Sequence, residues 1–473
     1  INPVMDNAWM DTYYFFVPRR LVWEHWEEFM GENKTDAWTQ QSEYQIPQVT
    51  SPEGGWTKGT IAEKITGCQG RTMSLDACYF RAYALIFREW FRNENVTEPP
   101  EVPLGDATTS GSNGTDYVTD LAKGGMMAKA VKYADYFTRA LPEPQKGPDV
   151  YLPLGTTAPV IGQNLATNPT YTTDSNYIDK QIGIVGSGSP VNIQPIRNDG
   201  TAGGGLLTGT GFALSADLSN ASAATINQLR QAFAVQRMYE VDARGGTRYT
   251  EILRAHFGVV SPDSRLQRPE YLGGKRTPIN ITQVIQQSST DATSPQGTAA
   301  AYSLTIDVHE DFTKSFTEHG IIMGLCVIRT EHSYQQGLNR MFSRKDRLDF
   351  YFPELSNIGE QGILNKEIYA QGTSEDDEIF GYQEAWAEYR YGINKISGEL
   401  NSDYATPLDS WTYADDFDSL PTLSDDFIRE TDANVARTLA IQNQDQWIAN
   451  FYFDQTWIRP MPIYSIPSLT GWN

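Results

Sequence analysis

The feature that most limits the fold is a long tract, from about Gly155 to Ser215, with almost no charge and no helical period. Its strings "GTTAPVIGQNLATNPTYTTDSN" and "NDGTAGGGLLTGTGF" are made largely of Gly, Thr and Asn. Inside a compact protein such a tract is either disordered or a functional surface loop. Tyr171, Tyr177, Ile182, Ile184 and Val185 give it side chains to pack, which favours an ordered excursion. The core must then come from the segments on either side.

Those segments alternate between the two regular periods. Asp11–Val17 ("DTYYFFV") is a β-branched and aromatic run closed by Pro18, the pattern of a buried strand. Leu21 to Met30 reads as helix, with Trp23, Trp26 and Met30 on one side. Ser74 to Asn93 reads as a stronger one, capped by Ser74 and striped by Cys78, Ala82, Leu85 and Trp90. A further helix is predicted from Gly125 to Leu141. Another covers Ala223 to Glu240, with Ser222 as cap and Ile226, Leu229 and Phe233 on one face. Gly245 and Gly246 break it before a shorter helix from Thr247 to Phe257. Strands follow at 321–330, 384–391 ("EAWAEYRY") and 446–453 ("QWIANFYF"). The final stretch carries Pro460, Pro462 and Pro467 and so cannot be helical, yet it displays Trp457, Ile463, Tyr464, Ile466 and Trp472. An apolar arm from about 457 to 473 must be buried, either on its own domain or on a neighbouring subunit.

Charge narrows the function. The 59 acidic residues exceed the 37 basic ones, leaving a net charge of −22, the wrong sign for a protein that neutralises nucleic acid unaided. Three cysteines without a CxxC fit a reducing compartment. The apolar run "IIMGLCVI" is too short to cross a bilayer, so no membrane insertion is expected.

Enzyme signatures come close and fail. "GGKR" at 273–276 has Arg276 where a phosphate loop needs Ser or Thr. His309-Glu310 has Thr313 where a zinc-protease helix needs its second His. On one strand Glu384 and Glu388 would stand about 13 Å apart, too far for a glycosidase pair. They read better as a solvated or inter-subunit charged face. The acidic strings "SEDDE" (374–378) and "YADDFDS" (413–419) lack EF-hand spacing and read as solvated turns, with a loosely held divalent cation left open. His319 and His332 read as capped loop residues at the two ends of one strand. No catalytic constellation emerges, and no cofactor is expected.

One island runs against the acidic background. From Arg244 to Arg276 there are seven basic residues, Arg244, Arg248, Arg254, Arg265, Arg268, Lys275 and Arg276, against three acidic ones. They could face DNA phosphates, with Tyr249 or Tyr271 free to stack on bases. They could instead pair with carboxylates of their own or a neighbouring subunit. The abundance of acidic residues favours pairing.

Several long strings resemble one family. "PVMDNAWMDTYYFFVPRRLVWEHWEEFMGEN" (3–33) and "EVDARGGTRYTEILRAHFGVVSPDSRLQRPEYLGG" (240–274) are similar to major capsid proteins of gokushoviruses, small single-stranded DNA phages of the microvirus family. So are "KSFTEHGIIMGLCVIRTEHSYQQGLNRMFSRKDRLDFYFPEL" (314–355), "NKEIYAQG" (365–372), "FGYQEAWAEYRY" (380–391), "YADDFDSLPTLSDDFI" (413–428) and "RPMPIYSIP" (459–467). The resemblance implies a mainly β chain, with an eight-stranded antiparallel jelly roll carrying long helical and loop insertions. It implies a single capsid domain over 1–473 in a sixty-copy T=1 icosahedral shell around circular single-stranded DNA, assembled in the bacterial host cytoplasm. A small basic DNA-binding protein, a pilot protein and a host cell-surface receptor would be its partners. The tract 155–215 coincides with the family's variable three-fold protrusion, making Tyr171, Tyr177, Asn198 and Asp199 host-contact candidates. Complete family members carry a further N-terminal segment with the barrel's first strand, which is absent before Ile1. A carbohydrate-binding jelly roll that does not assemble is the alternative, but it leaves the C-terminal arm unexplained.

Overall fold

The computed structural model describes residues 2–34, 43–150 and 226–460, apart from 289, 291, 293, 294, 442 and 443, with four short strands between 160 and 216. The chain forms two compact units: Ile1–Lys146 with Glu240–Asn473, and Gly147–Tyr239.

The larger unit is organised around the predicted aromatic strand. Ala8–Pro18 lies in the middle of a three-stranded antiparallel sheet, between Gly320–Thr330 and Glu270–Pro278. Its alternation decides which face is covered. Phe15 and Val17, with Ile321 across the ladder, pack on Cys78, Ala82, Leu85 and Ile86 of the helix Ala77–Ile86. That is the predicted stripe, but the helix starts three residues later than expected. Ser74–Asp76 is instead a short strand on Gln48–Thr50, and Asp76 caps the helix by accepting from the Cys78 backbone N–H at 2.9 Å. The helix ends in one wide turn, Phe87–Phe91, closed by Arg92 N–H donating to Phe87 O at 2.9 Å.

Four other expectations are overturned. Over Leu21 to Met30 only Trp26–Phe29 is α-helical. Residues 125–141 form no helix, because their backbone groups are committed elsewhere. Lys132 N–H donates to Ile428 O, Glu430 N–H to Ala130 O, and Leu141 exchanges two bonds with Tyr382. In the third, the strand predicted at 384–391 lies earlier, at Ile379–Glu384, paired with Glu360–Leu364. Trp386 then turns the chain with φ 66° and anchors its indole on Leu355 O at 2.8 Å. Residues 446–453 form no ladder, the fourth miss. Strand 320–330 and helix Tyr249–Phe257 fall close to their predicted places, with Gly246 at φ 92° breaking the chain before the latter. The helix predicted at Ala223–Glu240 is observed as Ile226–Gly245, with Ile226 and Phe233 exposed; Ser222 lies outside the described residues.

Among the described residues the sheets are small, of two or three strands, nearly all antiparallel. They form no closed barrel. The smaller unit contains two antiparallel pairs, Val160–Gln163 with Ala213–Ala216 and Ile182–Val185 with Asn192–Pro195. Tyr171, Tyr177, Asn198 and Asp199 lie outside the described residues, as do Ile463, Tyr464, Ile466 and Trp472. No helix among the described residues is long and apolar enough to cross a membrane.

Candidate functional site: a pinned basic island and a buried charged centre

The basic island is mostly spoken for within its own chain. Arg244 binds Glu360, with Nε at 3.2 Å from Oε1, and donates to Gln383 Oε1 at 2.6 Å. Arg248 pairs with Glu251 at 2.9 Å and donates to the carbonyls of Arg88 and Arg92 at 3.2 and 2.7 Å. Arg268 pairs with Asp263 at 3.0 Å and lies 3.9 Å over the Trp90 ring. Lys275 reaches Asp307 at 2.6 Å, and Arg276 reaches the buried Asp11 at 2.8 Å while covering Tyr133 at 4.3 Å. Arg254 and Arg265 differ. Both are exposed, and neither side chain has an ion-pair partner among the described residues.

The pairing has a physical basis in the sheet. Asp11 lies on the central strand, 2 % exposed, where a lone carboxylate would be costly. Arg276 comes from one neighbouring strand and Arg329 from the other, at 3.5 Å, while Tyr133 donates its hydroxyl to Asp11 at 2.9 Å. The island therefore helps hold three strands in register.

A second centre was not legible as a site. His332 is buried, with Nδ1 2.9 Å from Asp415 Oδ2 and Nε2 3.2 Å from Glu430 Oε2. Asp415 also accepts from Lys132 Nζ at 3.1 Å and Asn434 at 2.6 Å. Burial opposes charge on the imidazole, but its bonds to Asp415 and Glu430 outweigh that and raise its pKa to about 9. Burial likewise pushes the Asp415 carboxyl up, yet His332, Lys132 and Asn434 hold it well below the usual carboxylate range. These are two views of one interaction. It ties together four segments far apart in sequence, around 132, 332, 415 and 430–434.

This corrects the expected turn at 413–419, where Tyr413, Ala414 and Asp415 are buried and only the chain from Asp416 on returns to solvent. It also corrects His332 as a loop cap. Glu384 and Glu388 are not partners on one strand face either. They pair separately with Arg390 and with Arg344, the latter at 3.2 Å. The string 374–378 is exposed except for half-buried Asp376, and Asp377 pairs with Lys366 at 2.5 Å. No group of three or more metal-ligating side chains is assembled among the described residues.

Near the C-terminus Trp447 packs beside Val4, Ala8, Tyr413 and Val435, and beyond it the chain leaves the core. Ile448 and Ile458 are each 96 % exposed, Tyr452 is 91 % exposed, and Phe453 and Trp457 are about half exposed. The described residues thus present a run of bare apolar side chains close to a buried charged centre.

Comparison with known proteins gives the family. Residues 1–469 match the family model described as "Capsid protein (F protein)". The chain belongs to the phage capsid F-protein family. Capsid protein VP1 of Bdellovibrio phage phiMH2K is 42% identical over 484 residues, covering 100% of this chain and 87% of that protein. The VP1 proteins of Spiroplasma virus 4 and Chlamydia phage 1 are 40% and 38% identical, each over 99% of this chain and 87% and 88% of their own length. These are microvirus capsid proteins, as the motif strings indicated, so the chain is a structural component of a virion.

Asp415 and Asn434 of the buried centre adjoin Tyr413 and Val435, which pack with Trp447 at the root of the exposed C-terminal run. The signal that could have revealed this centre was the isolated histidine directly after a long apolar strand. A strand end closed by His needs a partner, but the sequence does not say that Asp415 supplies it.

Proposed function

We propose that this chain is the major capsid protein of a T=1 icosahedral shell of sixty copies, enclosing circular single-stranded DNA and assembled in the cytoplasm of a bacterial host. On this reading its small antiparallel sheets belong to a jelly roll with long insertions. The observation that carries it is the exposed apolar run from Ile448 to Ile458. An isolated soluble protein rarely leaves such a patch bare. A closed shell needs several different contact surfaces on each subunit and would cover it. The arm from Trp457 to Asn473 continues that run and is assigned to the neighbouring subunit.

The charge of −22 supports a division of labour. DNA phosphates would be neutralised by a small basic protein or by bound cations, not by this chain alone. A pilot protein would travel with the genome, and the insertion around 155–215 would meet a host cell-surface receptor.

The test is electron microscopy of the complete reading frame expressed with its neighbouring phage genes. Uniform closed particles are expected from the full chain, and dispersed folded subunits from a chain ending at Trp447. Dispersed subunits from the full chain, with the partner genes expressed, would overturn the reading. Deleting residues 155–215 should leave particles that assemble but no longer attach to host cells.

A further inference from the structure

Among the described residues Lys132 is the only buried lysine, and it lies in the charged centre around His332. Lysine is almost never fully buried unless paired, and an ion pair inside a protein is weak evidence of net stability. A desolvated lysine amine is also a nucleophile once it has lost its proton. What stands beside Lys132 therefore decides what it can do.

Three side chains are linked through one carboxyl group. Lys132 Nζ is 3.1 Å from Asp415 Oδ2, and Asn434 Nδ2 donates to the other oxygen, Oδ1, at 2.6 Å. Exposure is 4% for Lys132, 3% for Asp415 and 5% for Asn434, so bulk water does not compete for the Asn434 amide carbon. The Phe427 ring covers the amine, its centroid 5.0 Å from Nζ. The backbones are fixed independently of these bonds. Lys132 N–H donates to Ile428 O at 2.8 Å, Asp415 N–H donates to Ser333 O at 2.9 Å, and Asn434 lies in the short helix Asp432–Ala436. Groups held together in this way react as though at very high concentration.

The distances suit an acyl transfer. A general acid or base works within about 2.6–3.2 Å of the proton it moves. The Asp415 carboxyl reaches both the nitrogen that must lose protons and the nitrogen that must gain them. His332 holds Oδ2 at 2.9 Å and is itself braced by Glu430 at 3.2 Å, which keeps the carboxyl from turning away.

We propose that Lys132 and Asn434 become joined by an isopeptide bond, with Asp415 carrying the protons. Asp415 takes a proton from the Lys132 ammonium, and the neutral Nζ attacks Asn434 Cγ. The bond from Cγ to Nδ2 then breaks. Nζ gives up two protons in all, the departing nitrogen takes both and leaves as ammonium, and Asp415 ends as the carboxylate it began as. No oxidant, reductant or further reactant enters, and one turnover per chain is enough. The bond ties the segment around Lys132 to the helix that carries Val435, beside Trp447 at the root of the C-terminal run. It goes beyond the shell reading and does not depend on it.

The test is the intact mass of the full chain, purified folded and measured after denaturation, with cooperative urea unfolding as the check that it had folded. The expected mass is that of the encoded sequence less one ammonia. Digestion should release one branched peptide joining the segments of Lys132 and Asn434. Lys132→Arg keeps the charge but should restore the full mass and remove the branch, and Asn434→Ala should do the same. A folded unmodified chain with the full mass of its sequence would overturn the proposal without recourse to any variant. An ammonia loss that persists in Lys132→Arg would also overturn it, placing the change elsewhere, as in ring closure at Asn113-Gly114. A branch at Asp415 with loss of water would overturn Asn434 as the acceptor. Mass is read on dispersed chains and on particles alike, so failure of the shell reading and failure of this bond are told apart.

Discussion

Two stretches of this chain have similar composition and opposite fates. Ala8–Pro18 reads AWMDTYYFFVP, and residues 448–458 read IANFYFDQTWI. The first is paired on both edges, with Phe15 at 1% and Val17 at 0% exposure. The second is in no ladder, with both terminal isoleucines at 96%. Propensity does not separate them; the available neighbours do. Gly274 and Gly324 let flanking strands approach the first stretch closely, and a Cβ at Gly274 would strike the Thr12 carbonyl. Among the described residues the second stretch meets no such surface. A strand-forming sequence is completed by what stands beside it, and on the proposed reading that partner comes from another copy of the chain.

The sharpest way to break this contrast is to truncate one ring on each side. Phe15→Ala should destabilise the subunit by about 3–5 kcal/mol, read from urea unfolding, because a fully buried ring leaves a cavity. Tyr452→Ala should change subunit stability by less than about 0.5 kcal/mol while lowering particle yield. Equal destabilisation by the two would show that the C-terminal run is packed in the isolated chain.

The buried centre comes next in size, since it anchors the root of the exposed run. Asp415→Asn leaves His332 and Lys132 without their shared counter-charge and should cost about 3 kcal/mol. Its pH dependence has two limbs. The folded pKa of His332 is raised from 6.5 to about 9, so its contribution is complete below 6.5 and is lost as pH rises through about 9. The carboxyl of Asp415 is lowered from 3.8, so its contribution is complete above that value and fades in strong acid. The urea midpoint should therefore be highest between these two values and fall on the alkaline side. In a His332→Gln variant the alkaline fall should disappear. An alkaline fall unchanged in the variant would assign it to other groups.

Much of this was legible in the sequence, and the limits are physical. The aromatic strand, the 320–330 strand and the Cys78–Ala82–Leu85 stripe were readable because burial acts through a local period. The segment 125–141 was misread because its backbone partners, Ile428, Glu430 and Tyr382, are set by tertiary contacts that no local period records. Asp415 was misread for a similar reason: in "YADDFDS" it looks like its neighbours Asp416 and Asp418, and only the fold buries one of the three. The surplus of acid made pairing available to the island, and five of its seven cations are paired within the chain. It did not say which cations would be left over.

Those two leftover cations give the smallest stability effect and the finest test of the comparison between buried and exposed surface. Arg254 and Arg265 are held by no carboxylate among the described residues, so Arg254→Ala and Arg265→Ala should each change stability by less than about 0.5 kcal/mol. Arg276→Ala should cost more, about 1 kcal/mol, because Asp11 loses one of its two counter-charges. DNA affinity should rank them the other way. If the free pair meets phosphates, removing either should reduce the salt dependence of oligonucleotide binding by about one released ion, with no change in base preference. Arg276→Ala should leave that slope unchanged, since its charge is already matched within the sheet. A slope that drops for Arg276 and not for Arg254 or Arg265 would mean that the internal pairs open on contact with DNA. The island would then act as a store of cations released on binding rather than a fixed brace.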